Sequence, residues 1–254
     1  MEFKMKPDYD EVKKRYDAFW EGEIIDRPPV CLTFPVDDPQ ILPEKEYDTH
    51  RQRWLDVDFR AEQMAVSLAN TVFYADSLPI AWPNMGPEIF SAWCGCDYNF
   101  GETTTWSEPC IKDGEKDFDK AVFNPNHPLF KATLKFTESL LELGKGNFIV
   151  GLTDFHPGGD HLAALRDPAQ LAIDMVENIE YVKNKLEEAE AEFFRVYDIF
   201  YKKLREKEMP ITSWTRLIHD GRYYIPSNDF SAMISNKMYE DVFLQGIINE
   251  CNFY

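Results

Sequence analysis

The sequence predicts a mixed α/β protein in which short strands alternate with long helices. Three apolar runs have the length and the turn-forming bounds of strands: 30–34, 71–74 and 147–152. Apolar residues recur at helical spacing over 47–70 and 129–143, next to those runs. A helix between two strands carries the chain back to the end of the sheet at which the first strand began. We therefore expect the strands to pair in parallel.

Capping signals mark where several helices begin. Asp8 opens a predicted capping box ahead of an amphipathic first helix. Asp167 stands before Pro168, the arrangement of an N-cap followed by proline in the first turn. The helix that follows is predicted to extend to about Leu204 with one break, and Ser235 is predicted to cap a last helix.

Weaker patterns cover the rest of the chain. Residues 211–218 and 224–225 have the composition of strands, whereas 79–128 combine many prolines, glycines and tryptophans with little periodicity. We interpret 79–128 as a loop-rich insertion. Cys94 and Cys96 stand closer together than the ligands of a usual zinc knuckle, which favours small buried side chains over a metal site.

Composition and charge exclude several classes of protein. The 254 residues are 44% hydrophobic, enough for a substantial core and too apolar for intrinsic disorder. The net charge of −18 opposes binding to nucleic acids and to anionic membrane surfaces. No apolar run in the sequence approaches the roughly 18 residues of a membrane span. The five sparse cysteines are typical of reduced thiols, so we expect a cytoplasmic globular protein.

Several motifs follow one another along the chain in an order typical of one enzyme family. Four of them are 26–30 (DRPPV), 73–79 (FYADSLP), 151–153 (GLT) and 227–235 (SNDFSAMIS). In this order they resemble motifs of the uroporphyrinogen decarboxylase superfamily. The chain is most similar to the corrinoid-associated, methyltransferase-like subgroup (trimethylamine corrinoid protein-type). The stretches that carry this likeness are 82–84 (WPN), 86–88 (GPE), 106–109 (WSEP), 153–158 (TDFHPG) and 221–224 (GRYY).

The resemblance implies a TIM-type (β/α)8 barrel with functional residues on loops at the carboxyl ends of the strands. The motifs account for about five of the eight βα units of such a barrel. We therefore expect residues 1–254 to form a single barrel domain without the family's final third, which carries a later histidine motif. An unclosed barrel leaves strand edges unpaired, and for this reason we expect a homo-oligomer.

The resemblance also implies catalytic roles for three residues that each follow a predicted strand: Asp76, His156 and Asp229. Parallel strands place their carboxyl ends on one face, so we expect the three side chains to share a cavity, with a raised pKa for a buried aspartate. In uroporphyrinogen decarboxylases the matching aspartate stabilises positive charge on the substrate. Asp76→Ala is then expected to weaken ligand binding with little effect on folding. The alternative role for Asp76 is an N-cap of the following turn.

A dense polar cluster occupies residues 154–161 around His156. Its two imidazoles and two carboxylates could bind a divalent metal or transfer protons near neutral pH. The alternative is that Asp160 caps a helix and the histidines bind loop carbonyls. We favour a substrate-binding role for Asp154, Asp160 and His161 over a metal site. The same role is predicted for Trp82, Arg222, Tyr223 and Tyr224.

The function implied by the resemblance is methyl transfer in one-carbon metabolism. Methylcobalamin or a methylated corrinoid protein would be the co-substrate, and we expect no tightly bound cofactor or zinc. Uroporphyrinogen decarboxylation is an alternative that residues 31–36 disfavour, because they lack the arginine that would bind a polycarboxylate. A further alternative is a non-catalytic chain that acts as a binding or assembly partner.

Overall fold

The computed structural model describes residues 3–254 as a mixed α/β structure with long helices and short strands. Its helices are α1 (Tyr9–Trp20), α2 (His50–Leu55), α3 (Val57–Ala69), α4 (Ile89–Trp93), α5 (Gly114–Asp117), α6 (Pro128–Gly144), α7 (Gly158–Arg166), α8 (Pro168–Glu177), α9 (Ile179–Arg205), α10 (Asn236–Val242) and α11 (Leu244–Phe253). Its strands are β1 (Cys31–Pro35), β2 (Thr71–Ala75), β3 (Ile80–Ala81), β4 (Asp97–Phe100), β5 (Thr105–Glu108) and β6 (Ile149–Val150). Short 3-10 helices lie at Phe118–Lys120 and Asp229–Met233.

Most predicted helices are confirmed, together with two of their capping residues. The Asp167 carboxylate accepts hydrogen bonds from the first-turn amides of α8, and the Ser235 hydroxyl accepts one from the Met238 amide of α10. The break predicted before Leu204 lies at Asn178, between α8 and α9. The prediction of a capping box at Asp8 is wrong. Among the described residues, the Asp8 side chain accepts no hydrogen bond from a first-turn amide of α1. A complete capping box lies instead at Thr49, before α2.

The prediction that the first two strands pair in parallel is wrong. Strands β1 and β2 pair antiparallel, with Cys31 opposite Ala75 and Pro35 opposite Thr71. The chain enters β2 beside the end of β1, where the Val36 amide donates to the carbonyl of Asn70. The connection through α2 and α3 therefore returns the chain to the end of the ribbon at which β1 finishes, and not to the end at which β1 begins. A short apolar run bounded by prolines also predicts a buried strand, but every residue of β1 is exposed.

Parallel pairing does occur between β3 and β6. The predicted strand 147–152 contracts to Ile149–Val150, and a 2.8 Å hydrogen bond from the Leu152 amide to the Thr212 carbonyl continues beyond it. Residues 211–218 contain a single bridge from Ile211 to His219 rather than a strand, because the chain turns between Ser213 and Arg216. Residues 224–225 were predicted as strand and are irregular. The paired strands of residues 3–254 form two-stranded sheets rather than a closed barrel.

The chain divides into two compact units. Unit 1 contains the described residues up to Asn84, Ala132–Thr153 and Tyr201–Tyr223. Its interior includes Val12, Tyr16, Ala61, Phe136 and Leu140. The single barrel domain expected for 1–254 stays a prediction.

Unit 2 contains Met85–Lys131, Asp154–Phe200 and Tyr224–Tyr254. It includes most of the predicted insertion 79–128, which is more ordered than expected because it holds α4, α5 and the antiparallel β4–β5 hairpin. The interior of unit 2 is rich in aromatic side chains, among them Trp93, Phe155, Phe193 and Phe200.

None of the helices in the described part of the chain has the length and the apolar content needed to cross a bilayer.

One face of the β1–β2 ribbon exposes large apolar side chains. Leu32 lies opposite Tyr74 and Phe34 opposite Val72, so the four side chains project from the same face. All four are at least 43% exposed. A continuous apolar surface of this kind is typical of a protein–protein contact. The homo-oligomer stays a prediction, and the contact that we expect for it is this sheet face rather than the edges of an open barrel.

We expect the protein to self-associate through this face at micromolar concentration, and Phe34→Glu to weaken the association at least about tenfold by placing a charge in the contact. Sedimentation velocity over a concentration series measures the effect. Thr33→Glu is the matched control, because its side chain points to the opposite face of the same strand. A wild-type monomer, or equal weakening by both variants, would contradict this interface.

Candidate functional site

The Asp154–His156 pair forms the centre of the candidate site in unit 2. The His156 Nε2–H donates to Asp154 Oδ1 at 2.8 Å, since an ionised carboxylate can only accept. Both side chains are largely buried, with 13% and 16% of their surface exposed. The second ring nitrogen of His156, Nδ1, is buried and has no hydrogen-bond partner within residues 3–254. The carboxylate therefore orients the imidazole through Nε2 and leaves Nδ1 without a partner among these residues.

Aromatic side chains hold this pair in place. Phe155, between the two residues, is fully buried, and its amide donates to the Tyr224 hydroxyl at 2.9 Å. The His156 and Tyr224 rings have centroids 5.5 Å apart. Burial raises the pKa of Tyr224 well above its ordinary value, and the nearby Asp154 charge adds to this effect. Tyr224 thus remains a neutral phenol beside the pair.

Asp160 caps a helix, which was the alternative interpretation of this residue. Its carboxylate accepts hydrogen bonds from the amides of Asp229 at 3.0 Å and Phe230 at 2.8 Å, in the 3-10 helix Asp229–Met233. The side chain of Asp229 is exposed, and the recorded contact with Asp160 is through its backbone. The structure thus brings Asp160 and Asp229 together for a structural reason. The catalytic role of Asp229 stays a prediction.

His161 lies apart from His156 in a different environment. It is buried on α7, its Nδ1 is 2.9 Å from the Ser91 hydroxyl oxygen, and its ring packs on Phe90 at 4.4 Å. Burial lowers the pKa of His161 to about 3, so the imidazole is neutral at physiological pH. Its recorded partner is a side-chain hydroxyl and not the loop carbonyl that the alternative interpretation expected.

Asp76 lies in unit 1, fully buried at the end of β2. Its carboxylate accepts hydrogen bonds from three groups: the Arg27 guanidinium, the Arg15 guanidinium at 3.2 Å and the Val30 amide at 2.8 Å. Burial alone would raise the pKa of Asp76, but these donors outweigh it and hold the pKa below its usual value. The raised pKa expected for a buried aspartate is therefore wrong at this residue.

The Asp76 network joins three segments of unit 1. Arg15 lies on α1 and also binds Asp26, while Arg27 and Val30 belong to the segment that leads into β1. Sequence reasoning missed both arginines as partners of Asp76, although Arg27 stands inside the quoted motif 26–30. The geometry supports a structural role for Asp76. Its catalytic role, and its convergence with His156 and Asp229, stay predictions.

The other predicted binding residues of unit 1 have local contacts. The Tyr223 hydroxyl is 2.7 Å from the Thr215 hydroxyl oxygen, and the Arg222 guanidinium lies 5.0 Å above the Tyr201 ring. Trp82 is partly buried, and its carbonyl accepts the Asn84 amide at 2.9 Å. These contacts orient the side chains, and the substrate-binding roles stay predictions.

Two buried carboxyl groups of unit 2 were not foreseen from the sequence. Glu190 of α9 and Glu250 of α11 are 7% and 1% exposed, and Asn249 donates to Glu190 at 2.9 Å. Burial raises the pKa of Glu250 to about 8, and the negative charges of Glu190 and Asp160 add to the increase. The pKa of Glu190 is also raised, mainly by burial. The only signal in the sequence was a glutamate on the apolar side of each helix.

Among the described residues, no three His, Cys, Asp or Glu side chains are grouped in a way that could hold a metal ion. Comparison of the chain with protein-family models, with curated proteins and with solved structures finds no match.

The Asp76 network predicts the effect of neutralising that carboxyl group. Asp76→Asn leaves Arg15 and Arg27 without their buried partner, so we expect it to lower the free energy of unfolding by about 2–4 kcal/mol. The sequence predicts that replacing Asp76 has little effect on folding. The structure instead predicts a loss of stability. Urea denaturation followed by circular dichroism measures the change. Asp26→Asn removes an exposed partner of Arg15 and should cost much less than Asp76→Asn. Equal costs for both variants would refute the special role of Asp76.

The buried Glu250 predicts a pH dependence of stability. Its pKa of about 8 in the folded protein exceeds its ordinary value, so the folded state binds more protons than the unfolded state between these two values. Stability should therefore fall as pH rises from 5 to 8, by up to about 1.4 kcal/mol per pH unit. Glu250→Gln should flatten this slope in urea denaturation at each pH. Glu187→Gln, an exposed change on α9, should keep it, and an unchanged slope in Glu250→Gln would contradict the assignment.

Proposed function

We propose that the protein is an enzyme in which the Asp154–His156 pair acts as a general base on a small protic acceptor, and that the reaction is methyl transfer to that acceptor. The observation that carries the proposal is the hydrogen bond from His156 Nε2 to Asp154, which leaves Nδ1 with its lone pair and no partner among the described residues. An imidazole oriented in this way is suited to remove a proton near neutral pH.

The proposed chemistry uses this nitrogen in one step. His156 Nδ1 takes the proton from the acceptor, and the freed lone pair forms a bond to the methyl carbon. The bond between this carbon and the methyl donor breaks, and its electron pair stays with the donor. Asp154 stabilises the imidazolium that results, because a carboxylate next to a cation in a water-poor site interacts more strongly than in water. Buried aromatic neighbours such as Phe155 and Tyr224 support exclusion of water from the pair.

Methyl transfer, rather than another reaction that needs a base, is proposed because of the motif order. The stretch 153–158, which contains the pair, is one of those similar to the corrinoid-associated methyltransferase-like subgroup. A methylated corrinoid, free or on a partner protein, would then be the donor, bound as a substrate.

We also infer that the strands that flank this segment in the sequence are part of a TIM-type barrel. Support comes from three successive segments of unit 1 that lie side by side. The Ile149 amide donates to Pro79, the Gly151 amide to Ala81 and the Leu152 amide to Thr212, each at 2.8 Å. The loop that carries Asp154 directly follows the middle segment, where a barrel places catalytic groups.

Methylcobalamin and a panel of thiol and amine acceptors test the proposal. We expect turnover, seen as loss of the methylcobalamin absorbance, and a drop of at least about 100-fold in kcat/KM for His156→Gln. Asp154→Asn should lower it at least about tenfold, because the imidazole loses its orienting partner. His50→Gln is the control, since His50 is an exposed residue of unit 1.

An assay with uroporphyrinogen and a measurement of ligand binding distinguish the alternatives from the proposal. Decarboxylation of uroporphyrinogen without methyl transfer would replace the proposal by its first alternative. Binding of ligands without any turnover would favour the non-catalytic role. Methyl transfer that survives His156→Gln at the wild-type rate would contradict the general base while leaving the reaction in place.

A further inference from the structure

Unit 2 contains a cavity of about 490 Å³ that the proposed reaction does not use. This volume is within the range of small-molecule sites, about 300–1,000 Å³. Its apolar wall comes from α4, α7 and the segment around the 3-10 helix Phe118–Lys120, and α9 forms the opposite side. The residues of the wall that matter here are Phe90, Phe118, Phe123, His161, Leu162 and Leu165.

The wall favours an apolar occupant. Phe90, Phe118, Leu162 and Leu165 are each at most 8% exposed and supply only hydrocarbon surface. Water gains few hydrogen bonds against such a surface, whereas an aromatic or aliphatic molecule buries its own apolar area there. Offset and edge-to-face contacts with the phenylalanine rings add to the attraction for an aromatic ligand.

His161 supplies a polar group in this wall. Its Nδ1 is engaged with the Ser91 hydroxyl, which leaves Nε2 as the ring nitrogen for a ligand. The imidazole is neutral at physiological pH, as described above, so it can take part in one hydrogen bond and does not attract an ion by charge. A single hydrogen-bonding group on an otherwise apolar ligand matches this wall.

The charged residues at the cavity are paired with one another. Lys185 binds Asp119 at 2.6 Å and Glu188 at 2.9 Å, and Arg195 binds Glu192 at 2.5 Å. Three carboxylates thus face two cations, which disfavours an anionic ligand. A cationic ligand would have to displace Lys185 or Arg195 from an existing ion pair. The paired charges therefore disfavour both anionic and cationic ligands.

We propose that this cavity is a binding site for an uncharged aromatic molecule with one hydrogen-bonding group, of the indole or phenol class. The ring lies on the phenylalanine and leucine wall, and the polar group bonds to His161. The site is distinct from the Asp154–His156 pair and does not depend on the proposed methyl transfer.

Three ligands with the same ring test the class: indole, the cation tryptamine and the anion indole-3-acetate. Isothermal titration of the full chain, supported by saturation-transfer NMR, measures each affinity. Indole is expected to bind at least about tenfold more tightly than either charged ligand, a difference of about 1.4 kcal/mol. Tighter binding of a charged ligand, or no binding of indole up to its solubility limit, would overturn the proposal.

Two variants test whether the ligand binds in this cavity. Ala189→Trp fills the cavity from α9 and should weaken indole binding at least about tenfold, whereas Ala169→Trp, on an exposed part of α8, should not. His161→Phe keeps a flat apolar side chain and removes the polar group. It should weaken indole binding about two- to tenfold and leave naphthalene binding unchanged.

Ala189→Trp decides the location if His161→Phe fails to fold. Indole binding at wild-type strength in Ala189→Trp would show that the ligand binds elsewhere and would overturn the proposal. Equal weakening of indole and naphthalene by His161→Phe would overturn the hydrogen bond to His161.

Discussion

The burial of Phe155 is the constraint on which the candidate site depends. Asp154 and His156 flank Phe155 in the sequence, and a hydrogen bond joins their side chains. Burying the central ring therefore holds the two polar side chains together. Its ring centroid lies between 4.8 and 6.2 Å from those of Phe90, Trp93, Phe193, Phe200 and Tyr224. Each such pair is worth about 0.5–1.5 kcal/mol beyond the area it buries, so rotating the segment would break several contacts at once.

The acidic chain satisfies its buried and half-buried carboxyl groups in different ways. Asp76 is bound by two guanidiniums and an amide, and Asp160 accepts two backbone amides, so both carboxylates serve to join segments. Burial and the nearby charges of Glu190 and Asp160 raise the pKa of Glu250 to about 8, which favours its protonated form at neutral pH. Asp154 alone among these is paired with an imidazole, a group that can gain and lose a proton near neutral pH. The proposed proton transfer rests on that pair for this reason.

Features that depend on interactions between residues close in sequence could be predicted from the sequence. Asp167 and Ser235 act on amides within three residues, so their caps and the helices behind them were predictable. The antiparallel pairing of β1 with β2 was not predictable. It depends on the path that the segment 36–49 takes between them, and no local sequence pattern determines that path. For the same reason the motif around Asp154 and His156 was recognised as a polar cluster, whereas the partners of Asp76 were missed. Arg15 lies 61 residues from Asp76, and only the fold brings them together.

The cluster 154–161 shows why neighbouring residues need not share a site. Helix α7 begins at Gly158, whose φ of +76° is a backbone conformation that other residues rarely adopt. Before this turn His156 packs against Tyr224, and one helical turn after it His161 packs against Phe90. Phe155 contacts both of these rings, so an aromatic layer connects the surroundings of the two histidines. One imidazole is left beside a carboxylate and the other in an apolar wall, so the same residue type has a carboxylate partner at one position and a hydroxyl partner at the other.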